Sequence, residues 1–425
     1  MKYILSLLFY RVLFIVLLPL LLLVLIIRSK NNPEYRQRLM ERLGFIPKNM
    51  KKEGIIVHAA SVGEVIALKA FIEKLLVNYP NTPITITTFT PTGSAQVKKL
   101  FAAKVQHCYL PIDSLLCTWF FLSSLKPKTI VFMETELWPN LIAQCKNRHI
   151  KLLLVNGRLS TKSMNSYQKL QWLIKPTLNA FDKILTQSQI NQNNFVALGG
   201  EELNCELSGN LKFDISINHS VIEKQTELAK YIETPRQLWV IASTHKGDEA
   251  LILKSFKQLY KQHPDLLLII VPRHPERFNE VAELCINEGF ITQKRSENTA
   301  VNASTHVWIL DTLGELMPMC ALASVVTMGG SFSNIGGHNP LEPALFKKPV
   351  IVGPDMSNFT EVMEQLSNAQ GIIQLNNTEQ LTDMMTTLLQ DDDHRNLLGE
   401  NAYAVVLQNQ GASDKSLACL AQLLA

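Results

Sequence analysis

Several patterns that identify common classes of protein are absent from this sequence. No two of its seven cysteines have CxxC spacing, so neither a zinc site nor a disulfide framework is indicated, and free thiols fit a reducing compartment. Neither the phosphate-binding pattern GxxxxGK[ST] nor the dinucleotide-binding pattern GxGxxG occurs. The net charge of +4 is too small to indicate nucleic-acid binding. Low-complexity tracts are also missing, and 47% hydrophobic residues are typical of a folded protein.

One long apolar segment begins the chain. Residues 3–27 are interrupted only by Ser6, Arg11 and Pro19. A helix of this length is about 37 Å long, enough to cross a hydrocarbon core of about 30 Å. The uninterrupted part, 12–27, covers only about 24 Å, so a full crossing requires Arg11 to snorkel toward an interface. We expect a membrane anchor, either spanning or inserted shallowly as a monotopic helix, with a buried soluble helix as the alternative.

Positive charge follows the apolar segment directly. Cations tend to stay on the cytoplasmic side, so the rest of the chain is expected on the cytoplasmic face of the inner membrane. Each cation near an anionic lipid surface contributes about 1 kcal/mol of attraction, which predicts contact with anionic head groups; a solvated charge run is the alternative. The basic residues are Arg28, Lys30, Arg36, Arg38, Arg42, Lys48, Lys51 and Lys52, against Glu34 and Glu41.

The remaining sequence contains two series of alternating strand and helix patterns. Such alternation is typical of parallel sheets in doubly wound α/β domains, whose ligands bind beyond the carboxyl ends of the strands. Two domains facing each other would place a substrate cleft between them. The predicted strands are 55–59, 84–88, 129–133, 151–155 and 183–186 in the first series, and 238–242, 266–271, 306–310, 324–328 and 349–352 in the second; predicted helices include 65–77 and 137–147.

This pattern divides the 425 residues into five predicted parts. Residues from 394 to 424 predict a pair of C-terminal helices, which could pack back on the first domain. Asp391, Asp392 and Asp393 before them are interpreted as capping, solvated acids rather than as metal ligands. The parts are a membrane anchor at 1–28, a basic juxtamembrane segment at 29–54, a first Rossmann-like domain at 55–210, an interdomain connection at 211–235 and a second Rossmann-like domain at 236–425.

Acidic residues follow two strands of the first domain. Glu64 falls in the first helical turn after Ser61, on a turn of small residues that lets a substrate approach closely. The same spacing is that of a capping box, so capping and catalysis both remain open for Glu64. Glu134 and Glu136 follow the next such strand beside Trp138. They suit sugar recognition, or alternatively are acids at a helix N-terminus beside a packing tryptophan.

Three strand ends of the second domain carry groups that suit an anionic ligand. Arg273 and Arg277 could clamp a phosphate or carboxylate in a bidentate way. A turn at 311–315 could present backbone amides. The glycine-rich segment 329–337 leads to a predicted helix beginning near Asn339, whose N-terminus would bind phosphate, with Glu342 placed to accept hydrogen bonds from ribose hydroxyls.

At these residues the sequence resembles the bacterial 3-deoxy-D-manno-octulosonic acid (Kdo) transferases of lipopolysaccharide synthesis. One departure is Gly157 in VNGRLS, where alanine is expected. The matching runs are spread in order over nearly the whole chain: HAASVGE ending at Glu64, METELWPN from Met133, GNLKFD from Gly209, STHKGDE from Ser243, PRHPER from Pro272, LGE from Leu313 and GGHNPLEP from Gly336.

The resemblance implies a GT-B architecture, with an N-terminal acceptor domain and a C-terminal domain for CMP-Kdo. It implies transfer of Kdo from CMP-Kdo to the lipid A precursor (lipid IVA). Attack opposite the leaving group would invert the anomeric configuration, and with cations and a helix terminus for the phosphate no metal or other cofactor is expected. The small net charge gives no reason to expect a nucleic-acid partner. Glu64 is implied as the proton acceptor, and Glu134 and Lys212 as stabilisers of the transition state. The residues implied to hold CMP are Pro272, Arg273, Leu313, Gly314, Glu315, Asn339, Pro340, Leu341 and Glu342.

The chemistry of glycosyl transfer agrees with these roles. The acceptor hydroxyl must lose a proton as it attacks, which requires a base such as Glu64. A second carboxylate, Glu134, can stabilise an oxocarbenium-like centre, and Lys212 can counter the negative charge of the leaving phosphate or of the donor's carboxylate. The alternatives are a membrane-associated GT-B enzyme that uses a UDP-sugar and a catalytically inactive homologue that binds lipid.

Overall fold

The computed structural model describes residues 2–30 and 32–425, with side chains from Leu5 onward. The chain forms two compact units. The first extends to Asp214 and also includes Asn409–Ala425, and the second is Ile215–Gln408.

The first unit is built on a parallel sheet with the strand order β3-β2-β1-β4-β5-β6-β7. Its central strands are buried along their whole length, as in sheets covered on both faces. The chain adds strands on one side of β1 and then on the other, so β1 and β4 flank the topological switch point. The strands are β1 Ile55–His58, β2 Ile84–Thr88, β3 Gln106–Tyr109, β4 Thr129–Met133, β5 Lys151–Gly157, β6 Lys183–Thr186 and β7 Cys205–Leu207.

Helices connect these strands and complete the first unit. Short 3-10 helices occur at Pro33–Tyr35, Ala102–Lys104, Glu202–Asn204 and Leu211–Phe213. The α-helices are α1 Lys2–Arg28, α2 Leu39–Arg42, α3 Val62–Ala67, α4 Lys69–Asn78, α5 Pro91–Phe101, α6 Leu115–Leu125, α7 Pro139–Asn147, α8 Thr161–Gln168, α9 Gln171–Leu178 and α10 Gln189–Leu198.

The second unit repeats the design with the parallel order β10-β11-β9-β8-β12-β13-β14. Its switch point lies between β8 and β12. The strands are β8 Leu238–Thr244, β9 Leu267–Pro272, β10 Thr292–Lys294, β11 Val307–Ile309, β12 Val325–Met328, β13 Val350–Val352 and β14 Ile373–Gln374. The helices are α11 His219–Ala229, α12 Asp248–Leu259, α13 Phe278–Asn287, α14 Leu316–Leu322, α15 Leu341–Ala344, α16 Thr360–Asn368, α17 Glu379–Gln390, α18 Asp392–Asn409 and α19 Ala412–Leu424, with 3-10 turns at Pro275–Arg277, Arg295–Glu297 and Ser357–Phe359.

The two predicted sheets and all ten predicted strands are confirmed. The predicted helix at 65–77 is two helices, α3 and α4, that meet at Leu68. The acidic run before the last helices caps α18, since the carboxylate of Asp391 accepts a hydrogen bond from the backbone N–H of His394 at 2.9 Å. All seven cysteines are buried and unpaired.

The predicted domain ranges require two corrections. Helix α19 belongs to the first unit, not to the second, because Ala412, Cys419 and Leu420 are part of the hydrophobic core beneath β1. The predicted connection at 211–235 is also structured: α11 packs against α14 in the second unit, with Leu228 as its buried side chain. A single buried residue gives α11 too weak a periodic pattern to be recognised from sequence.

Helix α1 is long and apolar enough to cross a membrane by length and composition. Its N-terminal part packs on the first unit, where Leu7 is buried against Ala143 of α7 and Leu173 of α9. The part that follows, residues 12–28, is about 26 Å long, shorter than a hydrocarbon core of about 30 Å.

Polar contacts hold the docked part of α1 in place. The Tyr10 hydroxyl donates to the carboxylate of the buried Asp113 at 2.9 Å, and Nε of Arg11 donates to the amide oxygen of Asn140 at 3.1 Å. Asn140 in turn donates its backbone N–H to Asp113 at 3.0 Å. Arg11 therefore has a protein partner and does not need to snorkel toward an interface.

The basic segment after α1 is less available to lipid than its sequence indicates. Arg42 is 2% exposed, donates to the carbonyl of Phe89 at 2.6 Å and lies over the ring of Tyr109. Arg38 forms a two-point hydrogen bond with the carboxylate of Glu41. The prediction that all these cations face head groups is therefore wrong for Arg38 and Arg42, which are used in packing.

Candidate active site

Glu64 lies at the switch point of the first sheet, in the first turn of α3. One carboxylate oxygen accepts from the backbone N–H of Ala60 and the other from the hydroxyl of Ser61, both at 2.8 Å. Ser61 is the N-cap and accepts from the backbone N–H of Glu64 at 3.4 Å. Ser61 therefore caps α3, but the carboxylate of Glu64 bonds to the backbone N–H of Ala60 rather than to that of the N-cap residue, so a full capping box is not formed. The bonds from Ala60 and Ser61 fix the direction of the Glu64 carboxylate.

Although its hydrogen bonds favour the ionised form, the pKa of Glu64 is not that of an ordinary carboxylate. Partial burial and the nearby charges of Glu134 and Glu136 raise its pKa to about 7, although the hydrogen bonds from Ser61 and Ala60 act in the opposite direction. A structural cap would be expected to hold a fully ionised carboxylate. An acid that titrates near neutrality is instead suited to accept a proton.

Glu134 and Glu136 lie in the turn between β4 and α7, close enough to influence Glu64 electrostatically. They precede the helix, which begins at Pro139 with Trp138 as its N-cap, so the alternative that they are helix N-terminal acids is wrong. Oε2 of Glu136 accepts from the indole N–H of Trp138 at 2.8 Å. The same oxygen lies 3.5 Å from Nε2 of the buried His58. The structure thus brings three carboxylates together, and the pairing of Glu136 with His58 was not predicted.

Lys212 lies at the same edge of the sheet, in a short segment held by neighbouring strand ends. The amide of Asn156 at the end of β5 accepts from the backbone N–H of Leu211 at 2.9 Å. Asn210 donates to Gln187, which follows β6, at 3.1 Å and accepts from the backbone N–H of Lys212 at 3.0 Å. These contacts fix the backbone that carries the Lys212 side chain.

Unusual backbone conformations occur at strand ends in both units. Glu134 has φ 58°, Asn156 has φ 55° and Ser243 has φ 58°, all in the left-handed region that residues with a side chain rarely adopt. Ser243 also lies in a register shift between β8 and β9. Such strain clusters at functional sites, where it sets the direction of a side chain.

In the second unit, the end of β9 carries Pro272 and Arg273. Arg273 donates its backbone N–H to the carbonyl of Thr244 at 3.0 Å, which joins the ends of β8 and β9, and its side chain is exposed. Arg277 does not share this role. Its guanidinium forms two hydrogen bonds, at 2.6 and 3.1 Å, with the carboxylate of the buried Glu249. The expected clamp of two arginines is therefore wrong, and Arg273 alone presents its charge.

The turn from Leu313 to Glu315 joins β11 to α14. Leu313 is exposed and Gly314 has φ 81°, whereas Glu315 is buried. The Glu315 carboxylate accepts from the hydroxyl of Thr312 and lies 3.4 Å from Nε of Arg295. Because this carboxylate is already paired inside the protein, a ligand at this turn would meet its backbone and the side chain of Leu313.

The segment from Asn339 to Glu342 does not form the helix N-terminus that was expected. Helix α15 has only four residues, and its first free amide, that of Leu341, is already bonded to the side chain of Asn339 at 3.2 Å. One helical turn has too small a dipole to hold a phosphate. Pro340 and Pro343 each remove a backbone donor, which helps to keep the helix short.

Three histidines that the sequence interpretation missed lie at this edge of the second sheet. His245 follows β8, His274 follows β9, and His338 comes directly after the glycine-rich segment 329–337 that follows β12. Asp248, fully buried, accepts from the backbone N–H groups of His245 at 2.8 Å and Gly330 at 2.7 Å, and so joins two of these loops. The available signal was that the matched motifs THK and RHP each place a histidine just beyond a strand, while GHN places one at the end of the glycine-rich segment that follows β12.

The structure therefore places the predicted residues in two groups at two switch points. Glu64 and Glu134 are brought together in the first unit, with Lys212 at the same sheet edge. Pro272 and Arg273 lie at the corresponding edge of the second unit, with the Leu313 and Asn339 turns following other strands of that sheet. Within residues 2–30 and 32–425, no group of three metal-ligating side chains suited to a metal ion occurs.

Comparisons with known proteins agree with this arrangement. A family model described as 3-deoxy-D-manno-octulosonic-acid transferase (kdotransferase) matches residues 37–215. The 3-deoxy-D-manno-octulosonic acid transferase of Haemophilus influenzae is 40% identical over 96% of this chain and 96% of its own length. The protein of the same name from Rickettsia bellii is 32% identical over 96% of this chain and 97% of its own.

A solved structure shows the same fold at low sequence identity. The UDP-GlcNAc 2-epimerase of Neisseria meningitidis, bound to UDP-GlcNAc, is 16% identical, covers 87% of this chain and 100% of its own, and has a TM-score of 0.57. Two parallel doubly wound units of this kind make up the GT-B fold, and the named relatives make the chain a glycosyltransferase. The chain belongs to the family of 3-deoxy-D-manno-octulosonic acid (Kdo) transferases.

Proposed function

We propose that this protein transfers Kdo from CMP-Kdo to a lipid A precursor such as lipid IVA, with inversion at the anomeric carbon. The observation that carries the proposal is the Glu64 carboxylate, which Ala60 and Ser61 hold at the first switch point close to Glu134 and Glu136. The identity of the transferred sugar as Kdo is supported by family membership, since the relatives are named Kdo transferases. The donor nucleotide and the lipid acceptor come from the family resemblance.

The first unit would supply the groups that activate the acceptor. Glu64 accepts the proton of the acceptor hydroxyl as the hydroxyl attacks the anomeric carbon, and its raised pKa makes it a stronger base than an ordinary carboxylate. Glu134, held by its left-handed backbone, faces the positive charge that develops on the sugar. Lys212 counters negative charge on the leaving phosphate or the Kdo carboxylate. Attack on the face opposite the leaving group inverts the configuration.

The second unit would hold the donor. Arg273 is the exposed cation at the end of β9 and suits a phosphate oxygen. The turn at Leu313 would contact the ligand through the exposed side chain of Leu313, while the carbonyl of Gly314, in a conformation that glycine favours, accepts from Lys224 at 3.4 Å. Asn339 and Glu342 offer polar side chains from the third loop. CMP then leaves with its charge countered by protein cations.

Incubation of the purified full-length protein with CMP-Kdo and lipid IVA, followed by mass spectrometry of the lipid, tests the proposal. We expect a lipid product heavier by one or more Kdo residues, in a reaction that excess EDTA leaves unchanged because protein cations serve the phosphate. Transfer from a UDP-sugar instead would favour the alternative GT-B enzyme. Lipid binding without transfer from any donor would favour an inactive homologue, and loss of activity with EDTA would overturn metal independence.

We further propose that α1 holds the first unit at the cytoplasmic face of the inner membrane as a monotopic helix. Docking of Tyr10 and Arg11 on the folded unit leaves about 26 Å of helix for the lipid. In sealed right-side-out spheroplasts, a cysteine-reactive, membrane-impermeant probe should not label a cysteine placed at Lys2 or at Lys30. Labelling at only one of the two positions would show that the helix spans the membrane.

A further inference from the structure

Two histidine rings meet head to head at the switch point of the second sheet. The Nε2 atoms of His245 and His338 are 2.8 Å apart, the ring planes differ by 8° and the ring centroids are 5.0 Å apart. Rings that lie in nearly one plane at this separation are joined by an N–H···N hydrogen bond. One proton therefore lies between the two Nε2 atoms, donated by one ring and accepted by the other.

The surroundings of this pair are rich in positive charge. Burial, together with His245, Arg273 and His274, lowers the pKa of His338 to about 4, and burial, His274, Arg273 and Arg277 lower the pKa of His245. The ring of His274 packs edge-on against His245 at 5.1 Å between centroids. The pair is consequently neutral at pH 7, with a single ring N–H on its two Nδ1 atoms.

The acids around the pair are already used by other groups. Asp248 raises the pKa of His245, but its carboxylate accepts from two backbone amides. Glu249 is paired with Arg277, and Glu276 lies 3.9 Å from the ring of His274. A site with this many cations and committed acids favours an anion from outside the protein.

We propose that the His245–His338 pair binds an anionic group of the sugar-nucleotide donor, its phosphate or its sugar carboxylate, and takes up one proton from solvent as it does so. The inference rests on the proposed function for the identity of the donor. Uptake of this proton gives the pair a single positive charge. The shared proton stays between the Nε2 atoms, and each Nδ1 then carries an N–H. The anion thus gains a second ring donor and a full charge.

Linkage gives the direction of the pH dependence. The bound anion raises the pKa of the pair, so the complex holds a proton that the unliganded protein lacks. Binding therefore strengthens as the pH falls and weakens by up to about tenfold per pH unit between the pKa of the free pair and that of the bound pair. Below the free pKa both states are protonated and the dependence ends.

Titration calorimetry of CMP binding to the full-length protein in buffers of different ionisation enthalpy measures the proton count directly. We expect wild type to take up about one proton more per CMP at pH 7 than either His338→Gln or His245→Gln. The comparison with the variants subtracts the titration of the CMP phosphate itself. His219→Gln, which changes an exposed histidine of the same unit, is the matched control and should keep the full uptake.

The ligands separate the possible outcomes. Uptake with CMP assigns the phosphate to the pair, and uptake that appears only when Kdo is added to CMP assigns the carboxylate. Cytidine, which has no anionic group, should cause no uptake. Equal proton counts for wild type and both variants, with CMP still bound, would overturn the inference but leave the proposed function intact. Failure of wild type to bind CMP would overturn the donor assignment and the inference together.

Discussion

Replacement of Glu64 by glutamine is expected to lower kcat for Kdo transfer by about 10²- to 10⁴-fold, the usual contribution of a general base. Glutamine can occupy the same place, because its single amide oxygen can accept from the backbone N–H of Ala60 while its NH2 group donates to the hydroxyl oxygen of Ser61. The fold and CMP affinity should therefore be retained. Rates measured with saturating CMP-Kdo and lipid IVA, beside CMP binding, check both parts.

The matched control is Ser61→Ala, which removes the cap and leaves the carboxylate. Loss of an N-cap costs about 0.5–2 kcal/mol of stability, so the apparent Tm should fall in this variant and not in Glu64→Gln. If Glu64 serves only to cap α3, Ser61→Ala should lose as much activity as Glu64→Gln, and that result would show the assigned role of the carboxylate to be wrong.

The pKa of Glu64 also predicts two pH dependences of opposite sign. Only the ionised carboxylate accepts a proton, so wild-type kcat/KM should rise with pH and level off above about 7. Stability changes in the other direction. The folded pKa is raised above that of the unfolded chain, so the stabilisation from protonated Glu64 is present at pH 4 and is lost as the pH rises through about 7. Glu64→Gln should therefore gain in Tm over wild type between pH 5 and pH 8.

The interior of both sheets could be predicted from sequence, but their edges could not. All ten predicted strands exist, and the four that escaped prediction, β3, β7, β10 and β14, are the outermost strands of the two sheets. An interior strand such as β4 is buried at every residue and reads as a continuous apolar run. An edge strand such as β10, Thr292–Lys294, has no fully buried residue and reads as a polar loop.

Candidate-site residues could be predicted from sequence when they lie close to the end of a predicted strand, because the strand itself fixes their position. Glu134 was found because it directly follows a predicted strand, and Glu64 because it lies in the first helical turn after one. The partners of side chains were not found, since they come from distant segments: Arg277 pairs with Glu249, and Glu315 lies beside Arg295. The contact of His245 with His338 joins residues 93 positions apart. Only the folded sheet places those two loops side by side.

Gly329, at the switch point of the second sheet, is expected to be required for the close approach of β8 and β12, which no pattern in the sequence indicates. A Cβ atom on Gly329 would lie 2.6 Å from the carbonyl oxygen of Ser243 and 2.7 Å from Cα of Thr244, both backbone atoms at the end of β8. Gly329 also donates its N–H to Ala242 at 2.7 Å. Gly329→Ala must therefore separate β8 from β12, at a cost of about 1–3 kcal/mol.

That separation would displace His245, two residues beyond Ser243, from His338. We expect Gly329→Ala to weaken CMP binding at least tenfold and to lower the apparent Tm of the second unit. Gly289→Ala is the control: Gly289 has φ 89°, and a Cβ atom added there would have no neighbour within 4 Å, so alanine costs about 1–2 kcal/mol through its backbone alone. CMP affinity in Gly289→Ala should match wild type. If both variants lose equal stability and bind CMP equally well, close approach of β8 and β12 is not what forms the donor site.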